Sequence, residues 1–189
     1  MAAAAWLEVR QALAGALRLA RGDPRGLAAF DDSLDGFWSS FRAAVICYPL
    51  FLVLLALRDS PAGPGSAPGW RILAVETIAF VISWVAFPLL MLPLARWLGR
   101  EHRFLLFMVS YNWCQVPQTV LFVAVGLAIA AGLSASAALL ELAAAIAVLV
   151  YEWYVARVAL ALGRGRATLV VVADLVLGSF LSRVTAALT

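Results

Sequence analysis

The sequence predicts an all-α polytopic membrane protein, with five transmembrane helices and an N-terminal amphipathic helix at the membrane interface. Of the 189 residues, 65% are hydrophobic and only 13% are charged, which lies outside the range of soluble globular domains. Five apolar runs each reach the roughly 20 residues that cross a bilayer. Arginines flank these runs, as is typical of the loops of membrane proteins.

The N-terminal segment, 1–36, has the pattern of a surface helix. Over residues 3–21, apolar and charged side chains recur with the period of an α-helix. One side of this helix collects Trp6, Val9, Leu13, Leu17 and Ala20, and another arc collects Arg10, Arg18 and Arg21. Because the segment is too charged to span, we expect it to lie in the bilayer interface. Packing against the cytoplasmic ends of the bundle is an equally good alternative.

The remaining residues, 37–189, form the membrane domain. The spans are predicted at about 37–57, 70–94, 103–131, 135–162 and 167–188. A Pro- and Gly-rich stretch at 59–69 has the composition of an exposed loop between the first two spans. The other connections are short, so the chain has no room for a separate soluble domain.

The arginine distribution predicts the orientation. One side would carry Arg10, Arg18, Arg21, Arg25, Arg96, Arg100, Arg103, Arg164 and Arg166. The other side would carry only Arg58, Arg71 and Arg183. The positive-inside rule therefore places the N-terminus in the cytoplasm and the C-terminus outside. These arginines do not form one basic face, so we expect membrane lipids as partners and no nucleic acid.

A polar stretch interrupts the third apolar run. At about 100° per residue, its side chains fall within an arc of about 120°. They are Tyr111, Asn112, Gln115, Gln118 and Thr119. Facing lipid would leave amides and hydroxyls unpaired, so this stripe is expected to face the interior of the bundle. Pro117 removes a backbone donor beside the stripe and predicts a kink.

Ionisable residues in the other runs suggest further pairs. Glu152 lies near the predicted midplane of the fourth span, at the depth of the polar stripe. Arg157 and Asp174 are predicted at similar depth on adjacent antiparallel helices and form a candidate ion pair. Glu76 and Glu141 are predicted near the outer surface, either as a pair that attracts cations or as separately hydrogen-bonded carboxylates.

No pattern in the sequence indicates catalysis, a cofactor or a metal. The only histidine, His102, lies among arginines at a predicted helix entrance. Cys47 and Cys114 both fall within apolar runs, which favours packing over a disulfide or a metal pair. Nucleotide-binding, zinc-protease and nucleophile-elbow signatures are missing. We therefore predict no catalytic residues, no metal site and no cofactor. We also expect that the protein is not an enzyme.

The layout of five spans, together with Tyr111-Asn112-Trp113 and Pro117, resembles bacterial membrane proteins of the Yip1-domain family from about Leu27 onward. Eukaryotic members of that family are five-span adaptors in membrane trafficking that bind small GTPases. The resemblance implies a non-enzymatic protein of the bacterial cytoplasmic membrane, and it assigns no residue a role.

Two functions remain open at this point. The first is a scaffold, a membrane-organising factor or an accessory subunit of a larger membrane complex. The second is a small transporter or channel, active as a homo-oligomer, with a polar midplane site around Asn112, Gln115 and Glu152. A cavity that reaches Glu152 would favour transport, whereas a dry and fully paired interior would favour the scaffold.

Overall fold

The computed structural model describes residues 2–57 and 68–188, and its regular secondary structure is entirely helical over these ranges. The helices are α1 (Ala2–Ala20), α2 (Leu34–Ser40), α3 (Arg42–Leu57), α4 (Gly69–Trp97), α5 (Phe104–Ala130), α6 (Ala137–Ala159) and α7 (Arg164–Leu188). Short 3-10 turns occupy Pro24–Ala29, Glu101–Arg103 and Leu133–Ser136. Apart from its last two residues, the predicted loop at 59–69 lies outside the described residues.

Five helical segments are long and apolar enough to cross a membrane. They are Leu34–Leu57, Gly69–Trp97, Glu101–Ala130, Ala137–Ala159 and Arg164–Leu188, with 23 to 30 residues each. The first combines α2 and α3, which meet at Phe41. The predicted all-helical architecture with five long apolar helices is therefore confirmed.

Helix α5 lies at the centre of the bundle. It packs against α3 and α6 along its length, and against α1 and α2 near its N-terminus. Its buried side chains include Phe107, Met108, Trp113 and Cys114. The helix continues through Pro117.

Helix α7 lies between α4 and α6, and both pack against it. On the other side, aromatic contacts link α3 to α4. The Tyr48 hydroxyl lies 3.1 Å from Thr77 Oγ1, and the Phe51 and Phe80 rings have centroids 5.0 Å apart. Because side chains rather than close backbone packing join α3 to α4, space remains between α3, α4, α5 and α7.

Helix α1 packs across one end of the bundle. Its buried face is formed by Val9, Ala12, Ala16 and Leu19. Trp6 and Leu17, which belong to the predicted apolar arc, are exposed. The turn at Pro24–Ala29 folds back on α1 and approaches it closely at Gly15, where an added Cβ would lie 2.8 Å from the carbonyl oxygen of Gly26. Packing of α1 against the bundle, one of the two placements expected from the sequence, is therefore present in the structure.

Polar contacts fix α1 to α2, α3 and α6. Ser39 Oγ donates to the Glu8 carboxylate, and Arg42 Nη1 lies 2.6 Å from the same carboxylate. From α6, the hydroxyl of Tyr151 donates to the carbonyl of Ala16 over 2.7 Å. These contacts join residues far apart in sequence, so α1 is part of the bundle.

Candidate functional site

The predicted polar stripe on α5 contacts α2 at one edge and α4 and α7 at the other. Asn112 faces α2, where its Nδ2 donates to Ser40 Oγ over 2.8 Å. Ser40 Oγ in turn donates to the Phe37 carbonyl over 2.6 Å. Both Asn112 and Ser40 are buried, so this chain of hydrogen bonds satisfies an amide that would otherwise be costly.

Ser40 was not among the residues predicted from the sequence. It ends α2, six residues after Leu34, while Asn112 lies eight residues after the start of α5 at Phe104. The two helices pack side by side near their N-termini. A comparison of depth from the same end of the bundle could therefore have found this partner.

Tyr111, about 100° away from Asn112 around the helix, faces α4 and α7. Its hydroxyl donates to Asp174 Oδ2 on α7 over 2.9 Å. The ring stacks on Phe87 of α4, with centroids 4.3 Å apart. The hydroxyl is therefore held in place by a ring contact on one helix and a carboxylate on another.

Arg157 and Asp174 do not form the ion pair that their similar depth predicted. Arg157 is exposed, and its guanidinium lies 5.5 Å from the ring centroid of Trp153 on the same helix. Depth says nothing about the direction in which a side chain leaves its helix. Asp174 points to α5 and takes its hydrogen bond from Tyr111 instead.

A central cavity of about 230 Å³ lies between α3, α4, α5 and α7. Its polar lining is formed by Tyr111, Asn112, Gln115, Thr119, Ser83 and Asp174. Thr119 Oγ1 donates to the Gln115 carbonyl over 2.8 Å and lies 3.6 Å from Cys47 Sγ. Four of the five stripe residues therefore border one space inside the bundle.

A second space, here called the lateral crevice, lies between α5, α6 and α7 and has a volume of about 370 Å³. Gln118 and Glu152 border it, and it shares Tyr111, Gln115 and Asp174 with the central cavity. Glu152, Asp174 and Tyr111 also border one small void. The structure thus brings Glu152 to the polar stripe through the Asp174 and Tyr111 pair.

Gln118 is the one stripe residue with a buried side-chain amide nitrogen that lacks a hydrogen-bond partner within the described part of the chain. Only 5% of the residue is exposed, and its Nε2 makes no hydrogen bond. Gln118 borders the lateral crevice beside Glu152. A buried amide donor without a partner costs roughly 1 to 3 kcal/mol, which a bound acceptor would recover.

The two outer carboxylates lie apart. Glu76 on α4 borders a third space of about 440 Å³, here called the distal cavity, at the end of the bundle away from α1. Glu141 is exposed on α6. Because α4 and α6 pack on different sides of α7, similar depth does not make these carboxylates neighbours.

No arginine forms an ion pair with Glu152 or Asp174 among residues 2–57 and 68–188. The ion pairs described there are Glu8 with Arg42 and Arg96 with Glu101. The same ranges contain no cluster of three or more metal-ligating side chains. Two carboxylates, a tyrosine hydroxyl and two glutamine amides thus line adjoining spaces around α5 and α7.

Comparison of the chain with models of protein families, with curated proteins and with solved structures finds no match. The fold and the site define its class: a bundle with five helices of membrane-spanning length and a polar interior that borders carboxylates.

Proposed function

We propose that this chain is an integral membrane protein of the transporter or channel class, which binds a cation or a proton at Asp174 and Glu152 and is not an enzyme. One observation carries the proposal. Polar α5 side chains and both carboxylates line adjoining cavities within helices of spanning length. A stripe that served packing alone would be expected to have its polar groups paired between helices.

The energetics of a buried carboxylate support a cation. A charged aspartate at the centre of a membrane helix costs roughly 2.5 to 3.5 kcal/mol on insertion scales, so it needs neutralisation. Arg157 could have supplied this from α6, but it turns outward to Trp153. A bound cation or a proton would then balance the site.

The cavities also suggest a route. The distal cavity, which Glu76 borders, shares Ser83 and Gly178 with the central cavity. At the α1 end the core is filled by buried side chains, namely Leu19, Met91, Ala95, Met108, Leu160 and Ala167. A central cavity that leads to the distal end of the bundle and not to the α1 end fits one state of an alternating-access cycle. With the N-terminus cytoplasmic, as the arginines favour, the open end faces outward.

In this proposal α1 lies along the cytoplasmic interface while it packs on the bundle. Trp6 and Leu17 adjoin the buried face and are exposed to the surroundings. Arg10, Arg18 and Arg21 lie on the neighbouring arc of this segment, where lipid headgroups would contact them. Five helices enclose little volume, so we also propose assembly as a homo-oligomer or within a larger membrane complex.

Flux through proteoliposomes tests the function. The full chain would be reconstituted with a trapped pH dye, and H⁺ and Na⁺ gradients would be imposed in turn. We expect the protein to dissipate at least one gradient faster than empty vesicles do, and Asp174→Asn to abolish this. Glu141→Gln, an exposed glutamate on α6, is the matched control. Equal rates with and without folded protein would overturn the proposal.

A second candidate is a non-enzymatic scaffold, membrane-organising factor or accessory subunit of Yip1-like type. The paired Asn112 and Ser40 and the firmly packed α1 favour it, because both are features of a static bundle. Its test is affinity purification from native membranes with mass spectrometry. A stoichiometric protein partner, together with no flux, would support this function over transport.

A further inference from the structure

We infer that the lateral crevice binds a lipophilic organic ammonium ion that carries a hydrogen-bond acceptor, and that this ligand enters from the bilayer. The inference rests on the carboxylate site of the proposed function and names the ligand class for it. Four features of the crevice each set one requirement for the ligand. They are its charge, an unpartnered amide, the position of its opening and its apolar lining.

The charge requirement comes from Glu152 and Asp174. Both border the crevice, on α6 and α7, and neither is in an ion pair within the described chain. Asp174 receives a hydrogen bond from Tyr111, whereas Glu152 has no such donor among the described contacts. An ammonium group would donate to the Glu152 carboxylate and balance its charge.

The acceptor requirement comes from Gln118. Its Nε2 is buried, lacks a hydrogen bond, and belongs to a side chain on the crevice wall. A donor in this position needs an oxygen acceptor. An inorganic cation would balance the carboxylates but leave this donor unpaired. A hydroxyl, ether or carbonyl oxygen on the same ligand satisfies both groups.

The route from the bilayer follows from α7. Leu175 and Ser179 border the crevice and also border a groove on the exposed face of α7, beside Val176 and Phe180. Leu175 is 45% exposed. The crevice therefore opens sideways, at a surface that would contact lipid.

The apolar requirement comes from the remaining lining. Phe122, Ala145, Val148 and Leu149 form the walls on α5 and α6. These side chains offer a ligand dispersion contacts but no hydrogen bonds. A ligand with an apolar body would occupy the crevice between them, with its ammonium group at the carboxylates.

Direct binding to the full chain in nanodiscs tests the inference. The probe is tritiated propranolol, which combines a secondary ammonium, hydroxyl and ether oxygens and a naphthyl body. We expect saturable binding that unlabelled propranolol displaces and that naphthoxyacetate, an anion with the same naphthyl ether, does not. Glu152→Gln should weaken binding by at least ~30-fold, since it removes one member of a desolvated charge pair. Gln118→Leu should weaken it about fivefold, the loss of one hydrogen bond.

Glu141→Gln is the control and should bind like the wild type, and size-exclusion chromatography would establish that each variant folds. If Glu152→Gln fails to fold, the Gln118→Leu result decides alone. The absence of saturable binding, equal binding of naphthoxyacetate, or unchanged affinity in folded Gln118→Leu would each overturn the inference. H⁺ or Na⁺ flux without propranolol binding would overturn it while leaving the proposed function intact, whereas loss of both would remove the two together.

Discussion

The hydroxyl of Tyr111 on α5 donates a hydrogen bond of 2.9 Å to Asp174 on α7. These two helices otherwise have little close backbone packing, because α7 lies mainly against α4 and α6. The bond therefore spans the space between the central cavity and the lateral crevice, and it connects the central helix to the carboxylate of the site.

Removing the Tyr111 hydroxyl should weaken the bundle slightly and free the carboxylate. We expect Tyr111→Phe to lower the free energy of unfolding by about 1 kcal/mol, the usual size of an interhelical hydrogen bond in a bilayer. Titration with SDS in mixed micelles measures this. In an Asp174→Ala background, the same substitution should have almost no further effect. An equal loss in both backgrounds would mean that the bond to Asp174 contributes nothing.

Breaking the pair of Asn112 and Ser40 should cost more. Asn112→Leu leaves the buried Ser40 hydroxyl without the amide donor and forces a new side-chain shape into a filled site. We expect a loss of about 1 to 3 kcal/mol. A double-mutant cycle with Ser40→Ala isolates the bond, and additive losses would contradict the coupling.

The sequence predicted the helices well because apolar length is a local property. The apolar runs of about 20 residues or more correspond to the five long helices, and Pro117 does not interrupt α5. The arc of polar residues on α5 was also local, since helical phase alone determines it.

The sequence could not show which face each neighbouring helix turns toward α5. Arg157 and Asp174 share depth, yet one turns outward to Trp153 and the other inward to Tyr111. Similarly, Glu76 borders a cavity and Glu141 is exposed, because α7 lies between their helices. The close approach of Gly26 to Gly15 on α1 is a tertiary contact, which a hydrophobic arc does not reveal.

The cysteines allow the central cavity to be probed directly. Cys47 borders it, whereas Cys114 is buried in the core and borders none of the cavities described here. If water fills the cavity, a small charged methanethiosulfonate should modify Cys47 faster than Cys114. The reaction would be followed by mass spectrometry on Cys47→Ala and Cys114→Ala, which each retain one thiol. Equal protection of both thiols in the folded protein would indicate a dry cavity.

The packing of α1 on the turn after it gives the last prediction. A Cβ added at Gly26 would lie 2.5 Å from the carbonyl oxygen of Gly15 and 3.0 Å from Leu19 Cγ. The first distance is to backbone, which no side-chain rotation can relieve. We therefore expect Gly26→Ala to separate the turn from α1 and to destabilise the protein by roughly 1 to 3 kcal/mol, the cost of overpacking.

The matched control is Gly165→Ala, because a Cβ there meets nothing within 4 Å. That variant should keep wild-type stability. Hydrogen exchange measured by mass spectrometry should show faster exchange in α1 of Gly26→Ala and unchanged exchange in α6. The carbonyl of Ala16, which accepts from Tyr151, lies one residue beyond Gly15, so this contact should weaken as well. Slow exchange of α1 in Gly26→Ala would show that the helix does not depend on close approach of the turn.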